Sequence, residues 1–132
     1  MTQQRTTTVV VIGDELVAGH GDARCLGWTG RVAARTLPSL PDSRFYALGV
    51  TGEDSVGMSQ RGMAEARVRF DPHTQNRLVL APGPHDIDAG LSTARSRLNL
   101  ANALDSALGS EVLTFVVGPP PSLDRDRNRR LE

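Results

Sequence analysis

Residues 7–19 read TTVVVIGDELVAG. Thr7–Ile12 is a β-branched run with no polar alternation, the pattern of a strand buried on both faces. It breaks at once into Gly13-Asp14 and a glycine-bearing turn. Such a strand needs cover on either side, so the question is what flanks it. Three more short β-type runs follow, Arg44–Val50 (RFYALGV), Asn76–Ala81 (NRLVLA) and Glu111–Val117 (EVLTFVV). Helical patterns lie between them. Trp28–Leu37 is stopped before Pro38. Ser55–Phe70 sets Val56, Met63, Ala66 and Phe70 on one face, with Ser55 as expected N-cap. Leu91–Leu108 carries the stripe Leu91, Ala94, Leu98, Ala101, Leu104 and Leu108, with Gly109 at the C′ position. Ser122–Glu132 reads as the start of a further, mostly charged helix. Regular alternation of this kind predicts a parallel sheet with right-handed crossovers and helices on both faces.

Composition narrows the function. The chain has 132 residues, one domain's worth, with 15 basic and 15 acidic residues and no net charge. A nucleic-acid-gripping domain is usually basic, so no nucleic-acid partner is expected. Every basic residue is Arg, and without Lys there is no Schiff-base chemistry, Walker lysine or phospho-receiver lysine. Cys25 is the single cysteine, which excludes an internal disulfide, and with three histidines it excludes a Cys/His zinc pattern. The longest apolar run, Val9–Ile12, is far short of a membrane span or a signal core. A soluble, cytoplasmic protein with no membrane partner is expected. Gly13, Gly19 and Gly21 lack the G-x-G-x-x-G spacing, so no dinucleotide or other cofactor is expected.

In parallel α/β sheets ligands bind outside the carboxyl ends of the strands, so the post-strand loops carry the functional reading. They are Gly13–Asp22, Thr51–Ser55 and Pro82–Asp88. Gly13-Asp14-Glu15-Leu16 with the later Gly27-Trp28, then Gly52-Glu53-Asp54-Ser55, then Gly83-Pro84-His85-Asp86 follow three strands in order. In that order and context the chain resembles the SGNH (GDSL-type) hydrolases. The resemblance implies a single domain over residues 1–132, three-layered, with four parallel strands in the order 2-1-3-4. It also implies carboxylic-ester hydrolase ancestry, with small acyl esters as the substrate class.

The departures from the family pattern bear on chemistry. Glu15 stands at the nucleophile position, His85 at the position of the oxyanion-hole Asn, and Gly52 at the second oxyanion position. Asp14 precedes Glu15. No Asp-x-x-His follows, and the resemblance implies that the final strand, helix and that block would lie beyond Glu132. A Ser-His hydrolase needs a hydroxyl and a base; an attacking carboxylate would give an anhydride. Glu15 is therefore expected to sit in the oxyanion hole, accepting from its own backbone, Gly52 N–H and His85, which makes the site inactive or atypical.

Two further readings stand beside this one. Asp14, Glu15, Glu53, Asp54, Asp86 and Asp88 offer hard oxygen ligands for Mg²⁺ or Ca²⁺ at the strand ends. Alternatively the domain is a non-catalytic binding module, with Glu111–Val117 an open edge available for homodimer pairing. His20 and His73 read as solvent-facing, Cys25 as a small packed or half-exposed side chain, and Trp28 as a packing anchor. Arg125–Arg130 reads as a solvated helix face.

Overall fold

The computed structural model describes residues 6–121 and 125–131. Strands β1 (Thr7–Gly13), β2 (Arg44–Gly49), β3 (Gln75–Ala81) and β4 (Leu113–Val116) form one parallel sheet in the order β2-β1-β3-β4. Helices α1 (Gly27–Thr36), α2 (Ser55–Arg69), a single-turn α3 (His85–Asp88), α4 (Thr93–Leu108) and α5 (Arg125–Leu131) follow in chain order. Ser122–Asp124 and Glu132, the flanks of the expected last helix, lie outside the described residues.

The sheet register explains the layering. Val10 pairs with Tyr46 and Leu78, and Ile12 with Leu48 and Leu80. Side chains alternate along a strand, so these share one face. They pack with Met58, Met63 and Ala66 of α2 and Ala103 and Ala107 of α4 in the main core. The intervening Val9, Val11 and Val79 face the other way and join Val17, Ala81 and Trp28 in a smaller cluster. Trp28, at the start of α1, thus anchors that helix to the sheet. The result is a three-layer α/β/α arrangement.

Several local expectations are corrected. Asp54, not Ser55, caps α2: its carboxylate accepts from Gly57 N–H. Ser55 is the first helical residue, and its hydroxyl is held by Asn99 Nδ2 at 3.0 Å. The buried face of α4 is Asn99, Ala103 and Ala107, whereas Leu98 is 50% and Leu108 74% exposed. Leu104 of the expected stripe packs against the core, but the face turned fully inward carries small residues, which let α4 sit close to α2. Gly109 ends α4 with φ −69°, so it is not a left-handed C′ glycine; the left-handed residue there is Glu111, φ 53°. β4 is two residues shorter at its start than Glu111–Val117 predicts. Its Leu113, Phe115 and Val116 are half exposed along an open sheet edge, as is Val117 beyond it.

One substitution tests the α2 packing. A Cβ on Gly62 would meet nothing closer than Ile12 Cγ2 at 3.8 Å, an ordinary contact. Gly inside a helix costs about 0.5–1 kcal/mol relative to Ala. Gly62→Ala is expected to raise the thermal midpoint by a few degrees; a lowered midpoint would show that the α2–β1 contact at Ile12 leaves no room for a methyl group.

Candidate active site

Level strand ends build the site. Gly13 pairs with both Gly49 and Ala81, so the loops after β1, β2 and β3 leave the sheet side by side. The first loop turns immediately. Asp14 Oδ1 accepts from Leu16 N–H at 2.9 Å, and Val17 N–H returns to Asp14 O at 3.1 Å. This tight turn presents Glu15 to the next two loops.

Glu15 meets both of them. Gly52 N–H donates to Glu15 Oε2 at 2.9 Å. His85 Nε2 lies 3.0 Å from Oε1 and 3.1 Å from Oε2. Gly52 reaches its place with φ +73°, a left-handed conformation that favours glycine. Partial burial opposes ionisation of Glu15. The N–H groups of Gly52 and Glu15 itself, with the His85 ring, outweigh it and hold the carboxyl below its usual range.

Asp14 completes the group. It is only 3% exposed. Its Oδ2 is buried without a hydrogen-bond partner, 3.3 Å from His85 Nε2, whose other neighbour is Glu15. A Cβ on Gly83 would lie 2.0 Å from that oxygen, so the glycine of the third loop is what admits the Asp14 carboxylate. On the far side of the ring, His85 Nδ1 is 3.8 Å from Asp88 Oδ2.

The structure therefore brings Asp14, Glu15, Gly52 and His85 together. The six carboxylates do not converge. Glu53 is paired with Arg61, Asp54 caps α2, and Asp86 Oδ1 accepts Ser55 N–H at 2.6 Å, tying α3 to α2. Cys25 is exposed, with φ 56°.

Two supporting residues escape sequence reasoning. Arg61 of α2 reaches under the loops. Its Nε and Nη2 bind Glu53 at 2.5 and 2.7 Å, and Nη2 also donates to Leu48 O at 2.9 Å and Gly13 O at 3.1 Å. Asp22 accepts from Arg24 and Gly27 N–H, each at 3.0 Å, and pairs with Arg31, closing the first loop onto α1. An i,i+4 Arg61–Glu65 pair was readable on the helix; the partner across the loop was not.

A small cavity of about 30 Å³ touches Asp14 and Gly83, and two larger ones lie to the sides. A depression of about 570 Å³ beside β2 and α1 touches none of Asp14, Glu15 or His85. A groove of about 610 Å³ lies next to the cluster, lined by Leu16, Trp28, Val117 and Pro120 among others.

No family model matches the chain. Solved structures do. AlinE4, an SGNH-hydrolase family esterase, superimposes with a TM-score of 0.75 at 22% identity, over 98% of this chain and 69% of its own. The lipase/acylhydrolase from Enterococcus faecalis gives 0.73 at 19%, over 96% and 67%. The fold is that of the SGNH hydrolases. In sequence, the chain is 26% identical to Esterase TesA of Pseudomonas aeruginosa over 125 residues, the distance of a divergent relative. It covers 92% of this chain, which spans 60% of the length of TesA. The SGNH resemblance read from three short motifs is thus borne out, as is the sheet order. Among the described residues no helix is long and apolar enough to cross a membrane.

Proposed function

We propose that these residues form an SGNH-type domain of ester-hydrolase ancestry that does not cleave carboxylic esters by the Ser-His route, because Glu15 takes up the donors meant for substrate. The reading rests on one observation, the Glu15 carboxylate seated against Gly52 N–H and His85 Nε2 at 2.9 and 3.0 Å. Donors of this kind stabilise a developing oxyanion. A resident carboxylate has the same charge and similar reach, and it excludes that oxyanion. Position 15 also offers no hydroxyl, and an acyl-carboxylate anhydride would still need a base-activated water to break down.

The groove whose apolar wall is Leu16, Trp28, Val117 and Pro120, with His20, Asp22 and Arg31 also lining it, supports a second reading, in which a small acyl group binds without turnover.

Rates with p-nitrophenyl acetate and butyrate test the main reading. The chain is expected to hydrolyse both at the buffer rate. Glu15→Ala is expected to lower stability by about 1–2 kcal/mol, the scale of lost charge-assisted hydrogen bonds. Turnover above buffer that Glu15→Gln and His85→Ala both abolish would overturn the proposal. So would a Glu15→Ala variant as stable as the parent.

A further inference from the structure

The geometry points to a divalent-cation site formed by Asp14 Oδ2, Glu15 Oε1 and His85 Nε2, taking a first-row transition ion of the Zn²⁺ type. It uses the same residues as the ester reading but does not depend on it.

Asp14 is the residue with an unmet need. A buried acceptor with no donor costs about 1–3 kcal/mol, more when charged. The imidazole cannot serve it. His85 Nε2 carries at most one proton, and both Glu15 oxygens lie nearer to that nitrogen than Asp14 Oδ2 does. Two carboxylates therefore converge on one nitrogen, and one buried oxygen has no hydrogen directed at it. A cation in the middle resolves this arrangement, since it accepts all three atoms at once.

The two carboxylates are also held as ligands are held. Leu16 N–H fixes Asp14 Oδ1, leaving Oδ2 toward the centre. Gly52 N–H fixes Glu15 Oε2, leaving Oε1 toward the centre. The two N–H contacts orient the carboxylates before the ion arrives. Asp88 Oδ2 lies 3.8 Å from Nδ1, on the side of the His85 ring away from the two carboxylates.

Spacing fits as well. With bonds of about 2.0–2.1 Å, ligands at right or tetrahedral angles lie about 2.9–3.4 Å apart. Both distances from Nε2 fall in this range, 3.0 Å to Oε1 and 3.3 Å to Oδ2. Gly83, whose Cβ would run into Oδ2, lets the Asp14 carboxylate stand beside His85. Two carboxylates balance a divalent charge. An imidazole nitrogen in the set favours Zn²⁺ or its neighbours over Mg²⁺ and Ca²⁺, which take oxygen shells. Three protein ligands leave a position open on the ion.

Isothermal titration of chelator-treated, desalted protein with Zn²⁺ tests this. One equivalent is expected to bind saturably. Asp14→Asn and His85→Ala should each weaken binding at least about tenfold, the low end even for loss of a supporting group. Asp14→Asn retains the acceptor for Leu16 N–H, and a melting curve checks that it folds. His20→Ala should leave binding unchanged. No saturable binding, equal binding in both ligand variants, or Mg²⁺ binding as tightly as Zn²⁺ would overturn the site. Ester turnover together with Zn²⁺ binding that needs Asp14 would end the inert-hydrolase reading and support this one. No turnover and no Zn²⁺ binding would overturn this one alone.

Discussion

Arg61→Ala is expected to cost about 3–5 kcal/mol, the loss seen when one partner of a buried ion pair is removed. Glu53 is the reason. Its side chain is only 4% exposed, and the Arg61 guanidinium sits against both of its oxygens. Burial disfavours the Arg61 charge, yet Glu53 and Glu65 outweigh that and raise its already high pKa. Deleting the cation leaves a carboxylate out of water with nothing to neutralise it. Two backbone carbonyls, Leu48 O and Gly13 O, lose a charged donor at the same time. Thermal melts should show a midpoint lower by roughly 10 °C or more, using about 3–5 °C per kcal/mol for a domain of this size. The double variant Glu53→Gln/Arg61→Met separates the two parts. It should recover stability relative to Arg61→Ala, since no buried charge is stranded, but stay below the parent because the carbonyls still lack their donor. A loss below about 1 kcal/mol in Arg61→Ala would mean that the pair is open to water and contributes as surface pairs do.

That pair marks where sequence reading stops. The strands were legible because β-branched runs buried on both faces leave a one-dimensional signature, and Val10, Ile12, Leu78 and Leu80 are fully buried as those runs imply. The meeting of Glu15, Gly52 and His85 was legible from the order of three glycine-bearing loops, since a parallel sheet delivers post-strand loops to one edge. What escaped depends on neighbours distant in sequence. Arg61 was one of fifteen arginines, and nothing local says that it alone turns under the loops to Glu53. The six carboxylates were equivalent as letters. Only their partners separate Asp86, bound to Ser55 N–H, from Asp14, whose Oδ2 has none. On α4, hydropathy weighted Leu98 and Leu108 above Ala103 and Ala107, although close helix packing selects the small residues. At α2, Asp54 and Ser55 are both good caps, and one residue of register decides between them.

The other large effect follows from the same edge. Gly49→Ala places a Cβ 2.4 Å from Asp14 O, 2.7 Å from Ala18 N and 2.8 Å from Ala18 Cβ. Two of those atoms are backbone, so no rotamer change relieves the clash, and either β2 or the turn after β1 must move. Overpacking of this kind typically costs about 1–3 kcal/mol and occasionally more; with rigid partners on two sides the upper end or beyond is expected. Gly52→Ala is the useful comparison. It meets nothing within 4 Å but sits at φ +73°, a strain of about 1–2 kcal/mol. If steric contact at the strand end governs the loop, Gly49→Ala should show the lower melting midpoint of the two. It should also weaken Zn²⁺ binding, because the displaced turn carries both Asp14 and Glu15. A Gly49→Ala midpoint as high as the parent's would show that the turn yields without cost. The three ligand atoms would then not be held by the strand end, and the level termini of β1 and β2 could not be the reason that the two carboxylates meet His85.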